Sequence, residues 1–196
     1  MSRDSDSETL VGLTGFARAG KSEIAQFLHE DYGYNIIKPS DVVRRALVRQ
    51  HGERKFARAE YRTMAENLRQ ASGPGYYLDG VDYRAERTLI DGTRHLDTAH
   101  FIRRQGGLLI GVVARAEERF RRATTANDAK QKPVSLEDFE LEERPEMNAS
   151  SHGNGGQILK VLCCIQPGDI IDTTDMSREE VYGQVAAILS RRGIEP

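Results

Sequence analysis

The segment that most constrains this 196-residue chain is Gly15-Phe16-Ala17-Arg18-Ala19-Gly20-Lys21-Ser22. It matches G-x-x-x-x-G-K-[ST] in full. At average composition, a chain of this length meets that pattern by chance on the order of one per cent of the time. The flanking sequence strengthens it. The apolar, β-branched run TLVGLTG (9–15) reads as a buried strand. KSEIAQFLHEDYG (21–33) places Ile24, Ala25, Phe27 and Leu28 at helical spacing and stops at Gly33. A strand that turns through glycines directly into a helix aims backbone N–H groups and the positive end of the helix dipole at one place. That place is built for an oxyanion.

The chemistry expected there follows residue by residue. The backbone of Gly15, Arg18, Ala19 and Gly20 wraps phosphate oxygens. Lys21 supplies a long-armed cation for β- and γ-phosphates, and Ser22 an oxygen ligand for Mg²⁺. The motif alone leaves open whether a bound nucleotide is hydrolysed, used in transfer, or only sensed.

Four further stretches read as strands: YNIIKP (34–39), ERTLIDG (86–92), LLIGVVA (108–114) and DIID (169–172). Helical patterns separate them, at 41–50 with Ser40 as N-cap, 55–70, 96–105, 116–123, 135–147 and 177–192. Alternation at this spacing implies an α/β fold with a parallel sheet wrapped by helices. Residues 1–8 read as a disordered tail and 9–196 as a single domain. Two stretches break the alternation: a helical insert at 41–85 and a helix–loop–helix at 115–160.

Carboxylates and arginines recur where strands end. Asp91, in LIDGTR, closes an apolar strand, which in a parallel sheet puts it on the same edge as the phosphate loop. It is a candidate for the Mg²⁺ shell, and Arg94 for a bidentate phosphate clamp. Asp41, after the second strand, is a candidate proton acceptor or positioning group, with Arg44 and Arg45 beside it for an anionic acceptor. Between Asp41 and Arg69 eight basic residues face four acidic ones, which suits a phosphorylated acceptor. Arg115, Arg119, Arg121 and Arg122 cluster after the fourth strand, the natural position of a closing lid. Its continuation at 135–147 is acidic and reads as an outer face. The five histidines show no ligand spacing and read as structural or exposed, the adjacent Cys163 and Cys164 as core residues, and Tyr76 and Tyr77 as packing under the insert or stacking on an acceptor base.

Composition excludes several classes. Thirty acidic against 28 basic residues give a net charge of −2, which rules out a generally basic nucleic-acid coat. No apolar run approaches the ~18 residues that span a bilayer. The polar start MSRDSDSE has no signal-peptide core, and two adjacent cysteines offer no disulfide framework, so a cytoplasmic setting is expected.

Taken in order, GLTGFARAGKS (12–22), SDVVRRAL (40–47), LRQASGPGYYL (68–78), LIDGTRHLDTAHFIRR (89–104), VVARAEERFRR (112–122), SLEDFELEERPE (135–146) and GDIIDTTDMSREEV (168–181) resemble the nucleoside monophosphate kinase group of P-loop proteins. Within it the chain looks most like the dephospho-CoA kinase-like and phage deoxynucleoside monophosphate kinase-like branch, over residues 10–190. The resemblance implies a five-stranded parallel sheet of the P-loop NTPase class, an acceptor-binding insert at 40–85 and a helical lid at 116–150. It implies Mg-ATP at the phosphate loop and a phosphorylated, nucleotide-like acceptor near Asp41, Arg44, Arg69 and Arg94. Arg119 and Arg122 match the positions of lid arginines. TTANDAKQK carries lysines where relatives often place further arginines, and DTTDMS (172–177) replaces an Asn-Asp-Gly-like turn.

The leading expectation is therefore an ATP- and Mg²⁺-dependent phosphotransferase acting on a nucleoside or deoxynucleoside monophosphate, with Lys21, Asp41, Arg119 and Arg122 serving the reaction. The alternatives are a kinase of a hydroxyl acceptor, either dephospho-CoA-like or a modified base in DNA, and an NTP-binding regulatory module without transfer. Nucleic acid as a partner is disfavoured by the net charge, and no membrane partner or oligomeric state is indicated.

Overall fold

The computed structural model describes residues 10–126, 135–147 and 156–196. The chain runs β1 (Leu10–Gly15), α1 (Lys21–Tyr32), β2 (Asn35–Ile37), α2 (Pro39–His51), α3 (Arg58–Ser72), a 3₁₀ turn (Tyr76–Leu78), β3 (Thr88–Asp91), α4 (Leu96–Arg104), β4 (Leu108–Val113), α5 (Ala116–Thr125), α6 (Leu136–Met147), α7 (Ile158–Cys163), β5 (Ile170–Asp172) and α8 (Arg178–Ser190). The sheet order is β2-β3-β1-β4-β5, and every pairing is parallel. This is the expected α/β P-loop NTPase architecture of five parallel strands flanked by helices.

β1 sits at the centre and all six of its residues are buried, as a strand covered on both faces requires. One core cluster lies on the α1 and α8 side, around Leu13, Leu28, Tyr34, Ile110, Ile171 and Leu189. A second, on the α4 and α7 side, joins Leu10, Ile90, Ile102, Leu109 and Val161. A small third cluster of Val43, Leu47 and Met64 holds α2 against α3. Register sets the site. Leu13 pairs with Asp91, and Gly15 with Val112, so the ends of β1, β3 and β4 reach one edge together.

Most boundaries fall within a few residues of the sequence reading. Pro39 was expected to close the second strand; it instead opens α2, with Lys38 rather than Ser40 at the N-cap. A proline at the first helical turn loses no hydrogen bond, because those N–H groups have no partner inside the helix. The expected cap at Ser135 holds: its Oγ accepts from Asp138 N at 3.1 Å. The closing helix starts at a capping box between Ser177 and Glu180, and Val181, Val185, Ile188 and Leu189 are buried. Sequence reading missed α7, a short helix following a glycine-rich stretch. It places Cys163 in an exposed position and Cys164 half-buried, correcting their expected core role; its buried residues are Ile158 and Val161. The expected tail (1–8), the polar loop (127–134) and most of the glycine-rich loop (148–155) lie outside the described residues.

Candidate active site

The phosphate loop is shaped by close backbone approach. Gly15 has φ +138°, and a Cβ there would stand 1.8 Å from the Val112 carbonyl oxygen. Only glycine fits between β1 and β4 in this conformation. Gly20 at φ +99° and Arg18 at φ +60° complete the reversal into α1. Lys21 folds back over the loop and donates to the carbonyls of Gly15 (2.9 Å) and Phe16 (2.6 Å). Burial lowers the pKa of its ammonium to about 8; Arg94 adds to that shift, while Asp91, Glu146 and Glu143 oppose it. Lys21 thus shares its electrostatic surroundings with the end of β3 and with α6. Ser22 follows it, exposed, in the first turn of α1.

Beside the loop lies a cavity of about 230 Å³. Its lining comes from the start of α2 (Pro39, Ser40, Val43), α3 (Tyr61, Arg62, Glu66, Arg69), the 3₁₀ turn (Tyr76, Tyr77), the end of β3 and its loop (Asp91, Arg94, His95), and α6 (Pro145, Glu146). Aromatic walls with three arginines suit a flat molecule carrying an anionic group. Arg69 is held by Glu66, and its Nη1 approaches His95 Nδ1 at 3.1 Å. Burial and the Arg69 charge both lower the His95 pKa and favour the neutral imidazole. Nδ1 then accepts from Arg69, leaving the proton on Nε2. His95 therefore lines the cavity, one of the five histidines that the sequence reads as structural or exposed. Tyr77 is almost fully buried, and burial pushes its hydroxyl well above the usual tyrosine range.

Arginines of α5 reach the loop from the other side. Arg119, only 4% exposed, donates from Nε to the Ala114 carbonyl (3.0 Å) and from Nη1 to the Ala17 carbonyl (3.4 Å). It also pairs with Glu143 of α6. Its guanidinium lies over the rings of Phe16 and Phe139, at 4.8 and 5.4 Å. Arg122 donates to the Arg18 carbonyl (3.2 Å) and to Thr173. Glu118 clamps Arg122 at 2.8 Å and also pairs with Arg121. Hydrogen bonding from Arg121, then from Arg122, pulls the Glu118 pKa down to about 2.

The structure thus brings Lys21, Asp91 and Arg94 into one electrostatic neighbourhood, sets Arg69 with Asp91 and Arg94 around the cavity, and rests Arg119 and Arg122 on the phosphate loop. It does not bring Asp41 and Arg44 to the cavity. α2 turns Pro39, Ser40 and Val43 inward, while Asp41 and Arg44 are exposed, with Arg44 paired to Glu53. Asp41 and Arg44 are three residues apart and share a helix face, so they turn away together. Sequence reasoning missed Glu143 and Glu146. α6 was expected to be an outer face, yet Glu143 is 8% exposed and Glu146 lines the cavity. One signal was available: Glu143 lies four residues after Phe139, on the apolar side of the helix.

No family model and no curated protein sequence matches the chain. Solved structures do. TT1252 from Thermus thermophilus is 18% identical at TM-score 0.63, over 94% of this chain and 97% of that one. Shikimate kinase from Acinetobacter baumannii in complex with shikimate is 14% identical at TM-score 0.58, over 95% and 96%. Shikimate kinase from Bacteroides thetaiotaomicron is 17% identical at TM-score 0.53, over 94% and 98%. At these identities the likeness establishes the fold, which this chain shares with kinases of the P-loop class.

Proposed function

We propose that the chain is an ATP- and Mg²⁺-dependent phosphotransferase whose acceptor is a nucleoside or deoxynucleoside monophosphate. One observation carries this reading: the phosphate loop and an arginine-lined aromatic cavity adjoin around Lys21, Asp91 and Arg94. The glycine-shaped loop and Lys21 suit a polyphosphate donor. Ser22 and Asp91 are hard oxygen donors of the kind Mg²⁺ takes and would hold it, and the ion would neutralise charge on the transferring group. Tyr61 and Tyr76 offer faces for a base, and Arg62, Arg69 and Arg94 offer charge for its phosphate. Arg119 and Arg122 supply cations from the lid side. Orientation of two anions within a cationic, partly dehydrated site is the catalytic contribution of this chain.

A second reading takes a hydroxyl acceptor bearing a carboxylate. It is suggested by one solved neighbour, a shikimate kinase determined in complex with shikimate. In this reading the same arginines would bind the carboxylate, and Asp91, which lines the cavity, would take the hydroxyl proton.

The deciding experiment incubates the protein with Mg-ATP and separate acceptors: the ribo- and deoxynucleoside monophosphates, dephospho-CoA, and small hydroxy acids. ADP and phosphorylated acceptor are followed together, with Lys21→Ala as control. Product on a monophosphate, lost in the control, supports the first reading. Product on a hydroxy compound alone replaces it with the second. ATP bound without product on any acceptor leaves a nucleotide-binding module.

A further inference from the structure

α6 presents two carboxylates three residues apart to the two halves of the site. Glu143 pairs with Arg119, and both side chains are nearly out of water, at 9% and 4% exposure. The same Arg119 guanidinium donates from Nη1 to the carbonyl of Ala17, inside the phosphate loop, at 3.4 Å. Glu146 accepts from Arg94 Nη1 at 2.8 Å and lines the acceptor cavity beside Asp91. The negative charge of each is felt at Lys21. α6 therefore touches, with anions, the buried arginine that rests on the phosphate loop and an arginine of the cavity.

A carboxylate accepts from the same guanidinium and amide donors that serve phosphate oxygens. It cannot keep those donors once a triphosphate arrives, because two anions at one low-dielectric place repel strongly. Burial by itself pushes the Glu143 carboxyl above the usual carboxylate range, and Arg119 and the Ala17 amide are what oppose that shift. Arg119 is the cation that holds Glu143 in this low-dielectric place.

We propose that α6 is an internal anion plug: Glu143 occupies Arg119 beside the phosphate loop, Glu146 occupies Arg94 in the acceptor cavity, and the helix withdraws as the substrates' own phosphates replace them. This rests on the phosphate-transfer reading of the site. The exchange is conservative in charge, since each departing carboxylate is replaced by an arriving anionic oxygen on the same donor. The plug keeps Arg119 paired before substrate arrives, and it lowers apparent donor affinity by the fraction of molecules in which α6 is docked. It also couples the two subsites, because one helix must leave both.

The test uses the full chain and Mg-ATP itself. Calorimetric titration compares wild type, Glu143→Gln and Glu146→Gln, and hydrogen exchange follows 136–147 with and without ATP. Glutamine keeps an acceptor oxygen for Arg119 while removing the charge. The expected result is ATP affinity raised about tenfold in Glu143→Gln, raised by a smaller factor in Glu146→Gln, whose pair with Arg94 is more exposed, and faster exchange across α6 in wild type at saturating ATP. Equal or weaker binding by Glu143→Gln, with α6 equally protected with and without ATP, overturns the plug and makes Glu143 a bracket for Arg119. If Glu143→Gln does not fold, the exchange of wild-type α6 decides alone. Tighter binding by Glu143→Gln with no product on any acceptor upholds the plug and rejects phosphotransfer. ATP bound by neither protein overturns both.

Discussion

Arg122 holds Thr173 twice: Nη1 donates to the Thr173 hydroxyl at 3.0 Å, and Nη2 donates to the Thr173 carbonyl at 2.8 Å. The hydroxyl in turn donates to the Ala19 carbonyl of the phosphate loop at 2.8 Å. A residue just after β5 is thereby tied to the loop after β1, with α5 as the bracket.

That tie predicts a stability effect independent of any activity. Thr173→Val keeps the shape and removes the hydroxyl, leaving the Ala19 carbonyl and one Arg122 donor without it in a buried place. Urea denaturation is expected to show a loss of about 1–3 kcal/mol. A loss under about 0.5 kcal/mol would show that this hydroxyl does not hold the loop.

Lys21 predicts a pH signature. Its ordinary pKa of 10.5 falls to about 8 in the folded protein, chiefly through burial. Below pH 8 the ammonium is charged in both states, and folding bears the full burial cost. Between those two values the unfolded chain binds the extra proton, so stability rises with pH, by at most about 3 kcal/mol. The melting temperature of wild type minus that of Lys21→Met should therefore climb by several degrees from pH 8 to pH 10. A flat or falling difference means that Lys21 is not held in a desolvated place.

Gly15 is expected to tolerate no side chain. Gly15→Ala puts a methyl group 1.8 Å from the Val112 carbonyl oxygen and forces alanine to φ +138°. Relief requires β1 and β4 to separate at the centre of the sheet. A destabilisation of about 3 kcal/mol or more is expected in denaturant melts. An alanine variant as stable as wild type would mean that the loop backbone differs from the one described.

The two aspartates proposed for the reaction separate by position. Asp91 lines the cavity, whereas Asp41 is exposed on the outward face of α2. Asp91→Asn should lower kcat by about 100-fold or more, on the scale of a lost general base or metal ligand. Asp41→Asn should stay within about threefold. Arg69→Ala should raise the acceptor KM by about tenfold while leaving the ATP KM near wild type, the loss expected for one charge-assisted hydrogen bond. Equal losses at both aspartates would return Asp41 to the reaction.

Features that depend on local order along the chain are legible in the residues alone. Glycines at fixed offsets before Lys21 encode the loop. Apolar runs and helical periods encode five strands and most helices. An aspartate ending an apolar strand, Asp91, was placeable because parallel strands share one active edge. Features that depend on helix rotation and on distant partners emerge only in the folded chain. A shift of 100° around α2 separates Val43, which lines the cavity, from Arg44, which pairs with Glu53 at the surface. The capture of Thr173 by Arg122 spans 51 residues, and the burial of Glu143 against Arg119 spans 24. No local pattern records either contact, because an acidic helix facing water and one facing a phosphate loop have the same composition. The difference lies in which donors the rest of the fold places opposite each carboxylate.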